Sequence, residues 1–235
     1  MKIVSEILEK VEQAGSRVVV VTKYFDEKKT HDILRQAENH PAFWALGENR
    51  IKDIKTKKLP REKTHFIGNL QSRDLEQIVQ CCSVLHSLCS VKHAEILNKK
   101  SVQEKISVFL QINISREKQK KGLLPKDIAE FLSQIATLKN LEILGFSAIG
   151  LGEFTESQKR EEFRELKRLR DQFLPGKILS AGTSRDYHIA LEEGIEVVRI
   201  GQAFFDQSGI LITIIAHGIS SSQNQLPIRG DLYTQ

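Results

Sequence analysis

The sequence predicts a single (β/α)8 TIM-type barrel with an extra N-terminal helix. Three observations lead there. Apolar, strand-like runs alternate with helix-period stretches eight times between residues 17 and 200. A chain of 235 residues has the size of one such barrel. The Gly-x-Gly-x-x-Gly usual after the first strand of a doubly wound open sheet is absent there.

The elements follow in order. Val4, Ile7, Leu8 and Val11 recur at helical spacing and predict an amphipathic helix ending near Gly15. Arg17 opens a run of four valines and a threonine that closes on Lys23, so the first strand is expected near 18–23. A continuous apolar run of this kind marks a strand covered on both faces. A helix over 26–39 follows, with Ile33, Leu34 and Ala37 inward, then a strand near 43–46 and a basic helix over 48–57. Strands near 64–67 and 83–86 bracket a helix marked by Leu75, Ile78 and Val79, and a helix over 91–100 comes next. The strand over 106–114 is strongly apolar. The helix after Pro125 carries Ile128, Phe131, Leu132, Ile135 and Leu138 at helical intervals. Strands near 141–146, 177–180 and 196–200 alternate with a long charged helix over 156–173 and a helix over 184–193 ended by Gly194. The barrel is expected to occupy 1–206. The stretch 207–235, with an apolar run at 210–215 and a Ser/Gln/Asn-rich segment at 220–225, reads as an extension without assigned function.

Composition narrows the function classes. Lys and Arg exceed Asp and Glu by 35 to 30. A mild excess suits an anionic small ligand and specifies no partner. The basic groups (Lys55, Lys57 and Lys58; Lys99 and Lys100; Lys118, Lys120 and Lys121) do not alternate with aromatics, so nucleic acid is not expected and solvated faces are. Cys81, Cys82 and Cys89 lack Cys-x-x-Cys spacing, which fits a reducing cytoplasm. The histidines show no metal-ligand spacing, so no metal is expected. The N-terminus does not read as a secretory signal, and no run is long enough for a membrane span.

In a barrel the chemistry sits at the carboxyl ends of the strands. That end collects Lys23, Gly47-Glu48-Asn49, Gly68-Asn69, His86-Ser87, Asn113, Ser180-Ala181-Gly182-Thr183-Ser184 and Arg199-Ile200-Gly201. Lys23 fits a surface lysine snorkelling from a strand end, or an amine desolvated where an apolar strand stops and able to act as a Schiff-base nucleophile. The loop at 180–184 fits an ordinary N-cap, or a phosphate cradle of small residues and free amides ahead of a helix. A small turn at Gly201 stands where barrel phosphate sites commonly lie. An amine on one side and an anion cradle on the other suggest pyridoxal 5′-phosphate. His65 and His86 read as structural hydrogen-bonding histidines, and Glu48 and Asp186 as charges complementing helix N-termini.

The segments Val18-Val19-Val20-Val21-Thr22-Lys23, Gly47-Glu48-Asn49, His65-Phe66-Ile67-Gly68-Asn69-Leu70-Gln71-Ser72, His86-Ser87, Gln111-Ile112-Asn113-Ile114-Ser115, Leu179-Ser180-Ala181-Gly182-Thr183-Ser184 and Val198-Arg199-Ile200-Gly201 together resemble, in order, the pyridoxal phosphate homeostasis protein family. The resemblance implies a barrel like the cofactor-binding domain of alanine racemase, with Lys23 carrying the cofactor as an aldimine and Asn49 beside its ring. It implies that Ser180, Gly182, Ser184, Arg199 and Gly201 surround the phosphate side. It further implies a protein that maintains intracellular vitamin B6 without catalytic turnover, with apo-enzymes that use the cofactor as possible partners; a cytoplasmic monomer is expected. The chain departs from the family where Tyr24-Phe25-Asp26-Glu27 replaces a proline-bearing stretch, where Arg50 replaces a tyrosine, and where Ala181 and Thr183 replace bulkier residues.

Two other functions compete. A small racemase would need an acid or base on each face of the cofactor, one of which alanine racemases draw from a second domain that this chain is expected to lack. In the other, the barrel holds a different phosphate ligand and Lys23 makes an ordinary ion pair.

Overall fold

Side-chain parity along the first strand sets the architecture. In strand β1 (Arg17–Val21), Val18 and Val20 belong to the main core packed under the helices, whereas Val19 belongs to a separate cluster inside the barrel with Val84, Phe109 and Val197. A strand that is apolar on both parities can be covered on both faces, and Val18, Val19 and Val20 are wholly buried. Each contributes on the order of 1.5–3 kcal/mol by leaving water.

The structure is a computed structural model and describes residues 2–149, 153 and 155–204. The expected boundary at 206/207 and the extension beyond it lie outside the described residues. Strands β2 (Phe43–Glu48), β3 (Thr64–Phe66), β4 (Val84–Leu88), β5 (Ile106–Ile112), β6 (Leu141–Ala148), β7 (Ile178–Ser180) and β8 (Val197–Ile200) follow β1 in strict sequence order. β8 pairs back on β1 in parallel, with Arg17 opposite Val197 and Val20 opposite Ile200, which closes the barrel. Helix α1 (Lys2–Gln13) precedes the first strand and buries Ile7, Leu8 and Val11. Helices α2 (Glu27–Ala37), α3 (Ile51–Thr56), α4 (Leu75–Cys81), α5 (Val91–Lys100), α6 (Ile128–Ile135), α7 (Glu156–Phe173) and α8 (Tyr187–Glu192) connect successive strands. The expected (β/α)8 barrel with its additional first helix is what the chain forms.

Several boundaries move, and each move matters for the site. β1 stops at Val21, so Lys23 leaves the strand and enters a turn. β2 continues through Gly47 to Glu48, which makes Glu48 a strand residue and not the opening charge of a helix. α8 starts at Tyr187, so the loop at 181–186, and not a helix terminus, carries the amides expected to hold an anion. Lys57, grouped by sequence with solvated lysines, is buried.

Candidate functional site

The turn after β1 closes when the Phe25 N–H donates to the Thr22 carbonyl at 2.9 Å, leaving Lys23 and Tyr24 at its two central positions. Lys23 is half-buried, and its ammonium lies 4.8 Å from the centroid of the Tyr24 ring. The apolar strand thus delivers the lysine to the barrel mouth without burying it. Beside it opens a cleft of about 250 Å³ lined by Lys23 and Tyr24 from the turn after β1 and by Thr183, Ser184, Arg185 and Gly201 from the loops after β7 and β8. Lys23, Arg185 and Arg199 all line this cleft and, among the described residues, no carboxylate does, so its field favours an anion.

The wall formed by the loops after β7 and β8 is stapled together. Ser184 Oγ accepts hydrogen bonds from the backbone N–H groups of Gly201 and Ala203, both at 3.1 Å. An oxygen already receives two converging amides there, which is the arrangement a phosphate oxygen requires. Gly182 makes the turn possible. Its φ is +85°, and a Cβ there would stand 2.6 Å from the Ala190 Cβ, so only glycine fits. Asp186, buried behind the loop, accepts from the Thr183 amide at 2.7 Å and its hydroxyl at 2.9 Å, and pairs with Lys159 at 2.9 Å. Asp186 therefore fixes the shape of the loop and makes no side-chain cap to α8.

Beneath the cleft a polar chain crosses the barrel interior. Arg199 donates through Nη1 to the Ser180 carbonyl and hydroxyl at 2.5 and 2.7 Å, and through Nη2 to the Ala148 carbonyl at 2.7 Å. Ser180 Oγ meets His86 Nδ1 at 2.9 Å, and His86 Nε2 meets His65 Nδ1 at 3.0 Å. One polarity satisfies the chain. The guanidinium donates to the serine, the serine to His86 and His86 to His65, so both imidazoles are neutral. Burial, with Arg17 as a lesser repulsion, holds His65 down at about 3. Burial, then His65 and Arg199, holds His86 well below its ordinary value. Burial also lowers Arg199 to about 10, with Asp186 opposing the shift. His86 stacks on Phe109 at 4.6 Å between centroids, and Trp44 meets His65 edge-on at the same distance.

Of the residues singled out from sequence, Lys23, Ser184, Arg199 and Gly201 line one cleft. Ser180 lies under it, bonded to Arg199, and Gly182 shapes its wall without facing it. Asn49 is not among the lining residues. It stands at the end of β2, where Gly68 packs so closely that a Cβ would come within 2.3 Å of the Asn49 carbonyl oxygen. Sequence reasoning missed Tyr24, Arg185 and Ile149 on the cleft wall. Tyr24 and Arg185 adjoin residues that were recognised, which was the available signal. Ile149, one residue past β6, offered none. Among the described residues no group of His, Cys, Asp and Glu is placed to hold a metal ion, and no helix is long and apolar enough to cross a membrane.

Comparison with known proteins bears on this barrel. The family described as alanine racemase, N-terminal domain, matches residues 4–208. The chain is 34% identical over 172 residues to the pyridoxal phosphate homeostasis protein of Helicobacter pylori strain 26695, covering 69% of this chain and 77% of that one. It is 30% identical over 214 residues to the human protein of the same name, covering 81% and 76%. Among solved structures, PipY of Synechococcus elongatus with pyridoxal phosphate bound superposes with a TM-score of 0.70 over 84% of this chain and 98% of that one. At 24% identity that likeness speaks to the fold alone.

Proposed function

This chain belongs to the pyridoxal phosphate homeostasis family, built on the alanine racemase N-terminal fold, and from that premise we propose that it holds pyridoxal 5′-phosphate as an aldimine on Lys23 and serves to store or deliver it, without turnover. The observation that carries the proposal is the convergence of the Gly201 and Ala203 amides on the Ser184 hydroxyl, at a cleft that Lys23 also lines and that no carboxylate lines among the described residues. The cofactor supplies an aldehyde, which condenses with a neutral amine with loss of water, and a phosphate, which seeks amides and cations.

The residues divide the work. Gly182, Asp186 and Ser184 hold the rim in the shape an anion needs, and Arg185 adds positive charge at its edge. Lys23 is presented by a two-residue turn, so its amine reaches the cleft on a long side chain with little backbone freedom. Arg199 only donates and is held by carbonyl and hydroxyl oxygens. A ring nitrogen placed against it would be disfavoured from protonating by charge repulsion, and that would weaken the electron sink that amino-acid chemistry needs. Racemisation also demands a proton carrier on each face. Tyr24, the one phenol among the described lining residues, shares a turn with Lys23. That placement favours a carrier over a racemase.

The test is borohydride reduction of the protein mixed with cofactor, followed by peptide mapping. Lys23 is expected to carry the reduced adduct, and the visible absorbance band to vanish in Lys23→Ala. L-Alanine incubated with the loaded protein is expected to keep its optical activity. An adduct on another lysine would overturn the site, and sustained loss of optical activity would overturn the non-catalytic reading in favour of the racemase. The proposal extends to a monomeric, cytoplasmic protein whose partners are apo-enzymes that use the cofactor.

A further inference from the structure

Lys57 is the one member of the Lys55, Lys57 and Lys58 group that is buried, with a side chain only 6% exposed. It extends from the C-terminal end of α3 to Glu48, the last residue of β2, and pairs with Glu48 Oε1 at 2.6 Å. The same carboxylate oxygen accepts from the Thr22 hydroxyl at 2.8 Å. The Lys57 ammonium also donates to the Thr22 carbonyl at 2.8 Å. That carbonyl closes the turn bearing Lys23, since it accepts the Phe25 amide as well. Lys57 is itself fixed from behind, because the His31 Nε2–H donates to its carbonyl at 2.7 Å.

The pair is a poor device for stability alone. Glu48 is fully buried, and its second oxygen, Oε2, has no hydrogen-bond partner among the described residues. Buried ion pairs with unsatisfied oxygens are often no better for stability than apolar side chains of the same volume. What this pair does accomplish is to grip the hydroxyl and the carbonyl of the residue immediately before the lysine, whose N–H is held by the Gly47 carbonyl at 3.1 Å. We infer that Lys57 and Glu48 are positioning residues that clamp the turn at Thr22 and so set the direction from which the Lys23 amine enters the cofactor cleft. The inference rests on the proposed role of Lys23. Neither residue lines the cleft, so they act through Thr22 and not on the ligand.

The experiment compares wild type with the charge-neutral double substitution Lys57→Met with Glu48→Gln, and with Thr22→Val. Two ligands are titrated into each: pyridoxal 5′-phosphate, and pyridoxine 5′-phosphate, which has the phosphate and ring but no aldehyde. The double variant is expected to bind the aldehyde roughly tenfold or more weakly, with its absorbance band shifted in pH dependence, while affinity for the alcohol stays within about twofold. Thr22→Val, which removes the hydroxyl anchor and keeps the carbonyl, should show the same selective loss in weaker form. It carries the test if the double variant does not fold. Folded variants with wild-type affinity and band for the aldehyde would overturn the clamp, and so would equal losses for both ligands, which mark a merely structural role. If wild type itself forms no adduct at Lys23, the proposed function fails, and the clamp with it.

Discussion

Acid should unfold this protein through its barrel interior, and the size of the effect follows from two imidazoles. Burial, with repulsion from Arg17 second, holds His65 at about 3 against an ordinary 6.5. The unfolded chain therefore takes up a proton that the folded chain refuses, and stability present above pH 6.5 is lost as the pH falls toward 3. Each pH unit inside that window corresponds to about 1.36 kcal/mol. From pH 6.5 to pH 5 the loss from His65 is about 2 kcal/mol, and by pH 4 about 3 kcal/mol. His86, lowered by burial, by His65 and by Arg199, adds in the same direction. The assay is urea unfolding of wild type and His65→Asn at pH 7, 5 and 4. Asparagine keeps an acceptor near the position of Nδ1 and removes the titration. The lost edge contact with Trp44 is a constant offset at every pH, so the difference between the proteins should narrow by about 2 kcal/mol between pH 7 and pH 5. Parallel stability curves for the two proteins would refute the reasoning, because they would mean that His65 charges freely in the folded state.

Two further outcomes follow from the same geometry. Gly182→Ala places a methyl against Ala190 at a φ of +85°, and a loss of about 1–3 kcal/mol is expected in thermal or urea unfolding, with weaker binding of inorganic phosphate. Glu162 is half-buried, and burial raises it to about 7 against the pull of Lys159 and Lys120. The folded chain thus holds a proton that the unfolded chain releases, so stability present below pH 4.5 is lost as the pH rises through 7. Glu162→Gln should accordingly melt higher than wild type at pH 8 and lose that advantage at pH 5; a pH-independent gap would contradict the assignment.

Much of this was legible because a barrel repeats. Eight apolar runs with helical stretches between them leave little choice of topology, and Arg17 to Val21 announced a strand covered on both faces. A buried Arg199 was also readable in principle. It sits among Val197, Val198 and Ile200, and a charged residue inside such a run shares the burial of its neighbours. What failed were boundaries. The valine run said where burial begins and nothing about where the ladder ends, so Lys23 fell in a turn two residues past the last paired valine. Glu48 looked like the start of a helix because acidic residues are common there, yet β2 carries it as its last strand residue, with Gly47 and Glu48 paired to His65 and Phe66.

Lys57 shows where sequence reasoning stops and geometry takes over. Its place three residues after the buried Ile54 was a hint, since helix positions that far apart share a face. The hint could not say what a buried ammonium would meet there. Its partners lie 9 and 35 positions away and come together only when β1 and β2 pair in register and α3 folds back over them. The same holds for Ser184 and Gly201, 17 positions apart and joined by a loop-to-loop bond that no local pattern encodes. Residue types at strand ends therefore identify the chemistry available to this barrel, while the closure of the sheet decides which of them act together. The turn bearing Lys23 and the Ser184–Gly201 loops line one cleft only because β8 returns to β1.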